Sequence, residues 1–565
     1  MRKYVTTILT LTALAVASAP AVAEVDTGAY LAGKQAETAH DFGTAARYFA
    51  DGLVQDPTNA DLLDRLQRAY VAQGDFARAV PVARTMADAG VGNPVTHLIL
   101  RTDDFAAGRW NEVLNALEAG QQIGPLVDQL SAAWALVGAG DTSAAMDAFD
   151  AVIQGEGMGV YGLTHKAYAL AAFGDFEGAQ RLFTNNGHGG MRYSRQSAIA
   201  HAQIMSQLGQ NTEALELISA VFGTQLDPGL IALRDALSDG EAVAYSAVRT
   251  PAEAMGDLAH VIAGLVQADA PANFTLLYTR AANHLWPQNA TAQLMTARLL
   301  EELENYDLAN AAYSAVSPDD PSYHAAELGR AEALRAAGRE EAAVEVLEGL
   351  TRLYPALPEV HATKGDTLRM AERYAEADRA YTRALDLYDN LDRSKWFVYY
   401  TRAITRHRLD DWTGAEADFR SALALRPEQP QVLNYLGYSL VERGEKLSEA
   451  LDMIETAAAA RPDHGAIIDS LGWVYFQLGR YDEAVVHLEH AASLEPVDAV
   501  INDHLGDAFW AVGREIEARF QWQRALSFSP SEEDATRIRA KLDRGLDAVL
   551  EEEGAEPLQV ARDDS

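Results

Sequence analysis

The chain repeats a short pattern about every 34 residues toward its C-terminus, and this constrains its fold more than any other feature. The dipeptide Leu-Gly recurs at 436–437, 471–472 and 505–506. Each copy is followed by a bulky residue, an alanine, a large apolar residue, a second alanine and a closing proline. The three sets are Leu440, Ala450, Ile454, Ala457 and Pro462; Tyr475, Ala484, Leu488, Ala491 and Pro496; and Phe509, Ala518, Trp522, Ala525 and Pro530.

This pattern predicts two packed helices in every unit. The leucine, the glycine and the bulky residue share one stripe of a first helix, while the two alanines and the large residue between them share a stripe of a second. Small residues on both stripes let the two backbones approach closely, and proline ends the unit because it cannot continue a helix. Each pair buries its apolar side only against its neighbours. The sequence therefore predicts an all-α fold, a superhelical solenoid of antiparallel helix pairs whose first helices line a concave groove.

The same frame extends through most of the chain and gives about 13 units. Upstream units are expected to start near residues 26, 60, 94, 126, 160, 195, 290, 324, 358 and 396. The interval 229–289 has helical periodicity but lacks the glycine and alanine positions, and Pro251 and Pro271 interrupt it. It forms either two divergent repeats, the interpretation we favour, or a joint between two superhelical halves.

The two ends of the chain have patterns of their own. Arg2 and Lys3 precede an apolar run too short to span a bilayer, and Ala21 and Ala23 fit a signal-peptide cleavage site. Apolar residues recur at helical spacing over 533–551 and would cap the last repeat. We therefore expect a signal peptide (1–23), a degenerate repeat array (24–228), the divergent repeats or joint (229–289), a regular array (290–532), a capping helix (533–551) and a disordered tail (552–565).

Charge and cysteine content exclude several classes of protein. Asp and Glu number 82 against 46 Lys and Arg, so the formal net charge is −36, and no basic patch offers a surface for nucleic acid. The absence of cysteine removes disulfides, thiolate metal sites, thiol nucleophiles and a thioether lipid anchor. With the signal peptide, these observations predict a protein that is secreted across the inner membrane and is periplasmic, soluble and not lipidated. We expect no direct membrane insertion after signal cleavage.

No sequence motif predicts a reactive centre. Gly157–Gly162 spells GxGxxG, but helical patterns flank it where a dinucleotide site needs a preceding strand, so we expect a helix-ending turn. His487 and His490 lie one helical turn apart without an evident third metal ligand. The glycine-rich stretch 185–190 is interpreted as a loop between repeats. We expect no enzymatic activity, no catalytic residue, no metal and no cofactor.

The repeated positions resemble those of the tetratricopeptide repeat, and the resemblance covers most of the chain after residue 23. In that family, fixed positions of the first helices face a concave groove that binds protein or peptide partners. The resemblance implies a ligand-binding set made of Tyr400, Asn434, Tyr438, Asp469, Trp473, Phe476, Gln477, Asp503, Asp507 and Trp510.

The chemistry of this set predicts the kind of ligand. Its aromatic residues would stand on a surface that a solvated helix normally keeps polar, and aromatic residues dominate the energetics of interfaces. Its three aspartates would make the floor of the groove negative. We expect a basic, Lys- or Arg-bearing or N-terminal segment, or a helix, rather than a free C-terminus. Alternatively, the aromatic residues pack against the capping helix or an adjacent repeat.

Residues 433–438 and 469–473 add a finer resemblance, to long repeat proteins of Gram-negative envelopes. These include an outer-membrane adaptor that delivers substrates to a periplasmic carboxyl-terminal processing protease. The resemblance implies a non-enzymatic scaffold or adaptor that recruits substrates to an envelope protease. That adaptor is lipid-anchored through a cysteine, which this chain lacks. An assembly factor for outer-membrane or secretion machinery and a peptidoglycan- or glycan-binding module stay open as alternatives.

Overall fold

The computed structural model describes residues 27–184, 193–223, 226–389, 393–555 and 558, and within them the chain forms 31 α-helices and no strand. The predicted all-α fold is confirmed. The predicted signal peptide, the loop at 185–190 and most of the predicted tail lie outside the described residues. None of the described helices has the length and apolar content that crossing a lipid bilayer requires.

The chain divides into two compact units, 1–346 and 347–565, and each is described by itself. The first unit contains α1 (Thr27–Thr38), α2 (Phe42–Gln55), α3 (Ala60–Gln73), α4 (Phe76–Asp88), α5 (Pro94–Ala106), α6 (Trp110–Glu118), α7 (Pro125–Ala139), α8 (Thr142–Gln154), α9 (Gly159–Ala172), α10 (Phe176–Thr184), α11 (Arg195–Gln207), α12 (Asn211–Phe222), α13 (Pro228–Ser238), α14 (Pro251–Val266), α15 (Ala272–Leu285), α16 (Ala290–Glu302), α17 (Tyr306–Ser314) and α18 (Tyr323–Ala336). The unit boundary falls within α19 (Glu340–Leu353).

The second unit continues with α20 (Pro358–Met370), α21 (Tyr374–Leu387), α22 (Lys395–Arg408), α23 (Trp412–Leu425), α24 (Pro430–Glu442), α25 (Leu447–Ala460), α26 (Gly465–Gln477), α27 (Tyr481–Leu494), α28 (Ala499–Ala511), α29 (Glu515–Ser527), α30 (Glu532–Arg544) and α31 (Leu546–Glu553). The ten helices α1, α3, α5, α7, α9, α11, α16, α18, α20 and α22 each begin within one residue of a predicted unit start.

The turn inside each pair is fixed by local chemistry. Gly74 ends α3 in the left-handed region, at φ 82°, which glycine adopts without steric cost. Asp75 then caps α4, because its side-chain oxygen accepts a hydrogen bond from the Arg78 backbone N–H at 3.0 Å. The chain therefore reverses within two residues, and the second helix of the pair packs directly on the first.

The recurring glycine marks the point where the two helices of a pair touch. A Cβ added to Gly472 on α26 would lie 2.5 Å from Leu488 on α27. The equivalent distances are 2.7 Å from Gly437 to Ile454 and 2.5 Å from Gly506 to Trp522. The glycine and the large residue of the sequence pattern therefore occupy the same space from opposite helices, which explains why they recur together.

The first unit departs from a simple stack because α14 and α15 pack across its earlier first helices. α14 contacts α5 and α7, while α15 contacts α3 and α5. Met255 and Leu258 of α14 share an apolar cluster with Val127 and Leu130 of α7. The interval 229–289 therefore supplies a cover for first helices that a bare repeat array would leave open.

Two contacts fix α15 to the turn that follows α3. The Arg280 Nε donates a hydrogen bond to the Ala72 carbonyl at 2.9 Å, and burial lowers the pKa of Arg280 to about 10. The His284 ring stacks on Phe76, with ring centroids 4.3 Å apart. The Arg280 hydrogen bond satisfies the Ala72 carbonyl at the C-terminus of α3, where the helix dipole favours a cation.

In the second unit, α30 and α31 close the stack. One capping helix was expected over 533–551, but the chain forms two, separated by Gly545 at φ 86°. A Cβ at Gly545 would lie 2.5 Å from the Trp510 ring, so the break lets the chain pass close to that indole. Ile538 and Leu546, one from each helix, are buried in the same apolar cluster.

Gly472→Ala is expected to destabilise the second unit, because the new methyl group overlaps the Leu488 side chain. Overpacking of this kind costs about 1–3 kcal/mol. The matched control is Gly349→Ala within α19, where an added Cβ would meet only the Arg352 guanidinium at 3.9 Å. The control should keep or raise stability, since alanine favours helix. Urea unfolding followed by circular dichroism measures both variants; equal stability of Gly472→Ala and wild type would contradict the packing.

The carboxyl of Asp257 on α14 predicts a pH dependence of the first unit's stability. Asp257 is 3% exposed, and burial raises its pKa from 3.8 to about 7, although its hydrogen bond with Tyr168 opposes the shift. Between these values the folded state binds more protons than the unfolded state, so stability falls as the pH rises and levels off above about 7. Asp257→Asn has no carboxyl at this position, so the fall in stability that this group causes is absent.

The gain in unfolding free energy of Asp257→Asn over wild type should therefore grow from about pH 5 to about pH 7 and then stay constant. Calorimetric unfolding across that range measures it. A gain that is the same at every pH would show that Asp257 ionises in the folded protein as it does in the unfolded chain.

Candidate functional site

A pocket of about 440 Å³ lies among α24, α26, α28 and α30 of the second unit. We call it the C-terminal pocket; Val500, which is 47% exposed, stands in its wall. Four of the ten predicted ligand-binding residues line it, namely Tyr438, Trp473, Gln477 and Asp503. Glu442, His504, Asp534 and Arg537 also line it.

Trp473 is held in the wall of the pocket by its neighbours. Its indole N–H donates a hydrogen bond to Glu442 at 3.0 Å. Its ring stacks on His504, with centroids 4.0 Å apart, and on Phe476, with centroids 4.9 Å apart. Trp473 and Phe476 are each only 7% exposed, so these rings do not stand free in the groove as the sequence had suggested. The stacked rings form one edge of the pocket.

His504 and Asp469 form a buried pair behind that edge. The Nδ1 of His504 lies 3.0 Å from both carboxylate oxygens of Asp469. Burial disfavours the charged imidazole, but the Asp469 carboxylate and two further aspartates favour it, and the pKa of His504 is raised. Asp469 therefore orients an imidazole ring and does not contribute a free negative charge to the groove.

Asp503 and Asp507 are neutralised by a lysine from the cap. The Lys541 Nζ, on α30, lies 2.7–2.9 Å from all four of their carboxylate oxygens, and Lys541 is completely buried. Trp522 also donates its N–H to Asp507 at 2.9 Å. Burial and the adjacent Asp507 raise the pKa of Asp503, which Lys541 opposes. The expected negative floor is thus largely compensated at these two positions.

The uncompensated negative charge lies at the rim of the pocket. Glu442 and Asp534 are exposed and take part in no ion pair within the described residues. The Tyr438 hydroxyl lies near both, and its pKa is raised by burial and by the carboxylates of Glu442, Asp469 and Asp534. Arg537 also lines the pocket, but it is already bound to Glu553 at 2.8 Å and lies 3.7 Å and 3.9 Å from Asp507 and Asp503. The rim therefore favours a cation.

Three other predicted residues lie away from the pocket. Trp510 packs against the cap, where its N–H donates to Asp547 at 3.0 Å. Tyr400 belongs to a separate aromatic group and lies 6.3 Å from the Tyr435 ring. Asn434 has a buried side-chain oxygen without a hydrogen-bond partner. These residues share a repeat position with the pocket residues, but neighbouring side chains cover each of them differently.

Sequence analysis missed Lys541, and this omission most changes the predicted charge of the groove. Lys541 lies between Ile538 and Leu542 on the apolar stripe of the cap, where a charged side chain is unusual. A buried lysine needs carboxylate partners, and the aspartates at 503 and 507 were the available candidates. Its position on that stripe was the signal that could have linked the cap to the groove.

The other candidate motifs have structural roles in the described residues. The GxGxxG stretch begins in the turn between α8 and α9, with Gly157 at φ 72°, and continues into the first residues of α9; a helix and not a strand precedes it. The His487 ring stacks on Tyr475, with centroids 5.2 Å apart. No group of three or more His, Cys, Asp or Glu residues with metal-binding geometry occurs in the described part of the chain.

Lys541→Met is expected to destabilise the second unit strongly, because it leaves Asp503 and Asp507 buried without a cation. Breaking a buried ion pair from one side costs about 3–5 kcal/mol. Adding Asp503→Asn and Asp507→Asn should restore part of the loss. Arg539→Met, which removes an exposed charge on the same helix, is the control. Urea unfolding measures all of them; a Lys541→Met variant as stable as the control would contradict the buried cluster.

Models of the tetratricopeptide repeat match this chain over 278–358 and 400–465, and a further one matches 467–498. The TPR repeat-containing protein PA4667 of Pseudomonas aeruginosa is 28% identical over 195 residues, which are 34% of this chain and 32% of that protein. The match thus spans about a third of that relative's length.

Solved structures also resemble the chain. The APC/C hetero-tetramer Cut9–Hcn1 aligns over 92% of this chain and 96% of that one, at 15% identity and a TM-score of 0.38. Yeast Tom70 aligns over 94% and 97%, at 14% identity and a TM-score of 0.29. YrrB, described as a TPR protein with an unusual peptide-binding site, aligns over 33% and 94%, at 18% identity and a TM-score of 0.28.

The matching models confirm the predicted repeat where they align, and the related protein carries repeats of the same kind. This fold supports a scaffold for protein–protein interaction, and repeat proteins of this kind are generally non-enzymatic. The chain therefore contains tetratricopeptide repeats over 278–358, 400–465 and 467–498.

Proposed function

We propose that this protein is a non-enzymatic scaffold that binds a basic peptide segment of a partner protein in the C-terminal pocket. The observation that carries the proposal is the pocket rim, where Glu442 and Asp534 are exposed carboxylates without a cation in the described residues. A lysine or arginine side chain at the rim would compensate the charge of these two carboxylates. Its alkyl part would lie against Tyr438, Trp473 and Val500.

The composition of the pocket supports a peptide over other ligands. Aromatic and apolar side chains give contact area, while a few charged groups at the rim give specificity, as in interfaces that bind peptides. A sugar would need an aromatic face to stack on, and Trp473 is only 7% exposed. A free C-terminal carboxylate would be repelled by the two rim carboxylates.

The second unit is also the more accessible of the two for such a ligand. In the first unit, α14 and α15 cover the first helices α3, α5 and α7. In the second, the first helices α24, α26 and α28 border a pocket large enough for a side chain and adjoining backbone. We therefore assign binding of the basic segment to the second unit.

The setting of this activity is part of the proposal. The N-terminal sequence pattern supports export to the periplasm, and the resemblance of residues 433–438 and 469–473 to envelope repeat proteins supports a role in recruiting substrates to an envelope protease. Co-purification from envelope extracts distinguishes this role from its alternatives. Recovery of a protease with cell-wall hydrolases supports it, whereas an integral barrel or a secretin indicates an assembly factor. Sedimentation with isolated cell wall indicates a glycan-binding module.

The binding proposal predicts a charge-selective pocket. Labelled peptides of equal length that carry either two lysines or two glutamates should differ in affinity, and the protein should bind the basic peptides more tightly. High salt should weaken the binding of the basic peptides. Glu442→Gln with Asp534→Asn should weaken binding of the basic peptides about tenfold, which corresponds to about 1.4 kcal/mol. Fluorescence anisotropy measures each affinity.

Glu532→Gln with Glu551→Gln is the matched control, since it removes two exposed carboxylates outside the pocket and changes the net charge equally. The control should bind within about twofold of wild type. If both double variants weakened binding of the basic peptides equally, the loss of affinity would come from the overall charge and not from the pocket. Affinity that follows a free C-terminal carboxylate and ignores lysine content would refute the proposal.

A further inference from the structure

An extended segment of the chain lies along α11 in the first unit. Residues 241–250 connect α13 to α14 and form neither helix nor strand. From 242 to 249, no backbone group bonds to another backbone group.

Side chains of α11 hydrogen-bond the backbone of this segment instead. The Gln207 Nε2 donates to the Val243 carbonyl at 2.7 Å, and the Val243 N–H donates to the Ser206 Oγ at 2.9 Å. The Ser246 N–H donates to the Gln203 Oε1 at 2.9 Å.

The same row of glutamines makes two further bonds. The Gln203 Nε2 donates to the Ser246 Oγ at 3.0 Å, and Gln196 donates to the Ala247 carbonyl. Gln196, Gln203 and Gln207 are spaced by seven and four residues, which places them on one face of the helix. This face, with Ser206, is called the amide row below. It contacts main-chain atoms at four positions of the segment, namely Glu241, Val243, Ser246 and Ala247, so most of its contacts do not depend on which side chains the segment carries.

The segment presents alternate side chains to the unit. Val243 and Tyr245 are half-buried and Ala247 is 3% exposed, while Ala244 and Ser246 are exposed; the alternation ends at Val248, which is also buried. This period of two is that of an extended chain lying on a surface. The Tyr245 ring lies 6.3 Å from Phe176 and packs against the core of the unit.

We propose that the amide row is a binding site for an extended peptide with an aromatic side chain, and that residues 243–248 are its internal ligand. Backbone bonding combined with alternate side-chain pockets is the way in which extended peptides are recognised on protein surfaces. A partner segment with an apolar, an aromatic and a small residue at alternate positions displaces the internal one. This site is uncharged and lies in the first unit, so it is independent of the C-terminal pocket.

Covalent connection gives the internal ligand an advantage. A tethered segment has an effective concentration on the order of millimolar, so a free copy competes poorly until the internal copy is weakened. Tyr245→Ala removes the aromatic anchor from the internal copy and leaves the amide row unchanged. The test therefore compares the full-length wild type with full-length Tyr245→Ala.

The probe is a fluorescein-labelled synthetic peptide with the sequence of residues 241–250. It should bind Tyr245→Ala at least about tenfold more tightly than wild type, which is about 1.4 kcal/mol. Adding Gln203→Ala and Gln207→Ala to Tyr245→Ala should abolish this gain, and a peptide with alanine in place of the tyrosine should bind weakly. No binding to Tyr245→Ala, or equal binding to it and to wild type, overturns the proposal.

Hydrogen exchange on the wild type tests the same site without relying on the folding of a variant. An isotope-labelled copy of the peptide at about millimolar concentration should increase deuterium uptake in the protein's own 241–250 segment, because the N–H groups of Val243 and Ser246 lose their partners on α11. A scrambled peptide should have no effect. Unchanged uptake with the native peptide would overturn the proposal.

Discussion

The close contact between the two helices of each pair is the constraint on which the rest of the structure depends. At Gly472 no side chain separates α26 from α27, and Leu488 fills the space. Because each pair is thin, it buries its remaining apolar surface only on the pairs before and after it. The first helices then lie side by side. The elements that cover this row of helices determine which of its side chains are available to a ligand.

The two units cover the row differently. In the first, α14, α15 and the segment 241–250 lie against first helices, with Arg280, Asp257 and the glutamines of α11 as the polar contacts. In the second, α30 and α31 close only the end of the row, where Lys541 compensates two aspartates. The C-terminal pocket remains beside that closure, with its unpaired carboxylates at the rim. One repeat pattern thus yields an occupied face and an open one.

The parts of this structure that depend on local sequence could be predicted. Unit starts, the all-α fold and the glycine–large-residue contact all follow from spacing within about 34 residues. The cover of the first unit could not, because α15 meets α3 through residues more than 200 positions apart, such as Arg280 and Ala72. The candidate site was predicted by repeat position alone. Position selects residues near the groove, but whether an aspartate there is free or paired depends on Lys541, which comes from outside the repeats.

The central claim is that a basic partner segment binds in the C-terminal pocket and not on the outer surface of the second unit. Photo-crosslinking tests it most directly, with benzoylphenylalanine replacing either Val500 in the pocket wall or Ile516 on α29, which is 84% exposed and outside the pocket. In cells, the label at position 500 should give a discrete crosslinked protein that a basic peptide competes away, while the label at 516 should not. The same crosslinked protein from position 516 with none from position 500 would contradict the account.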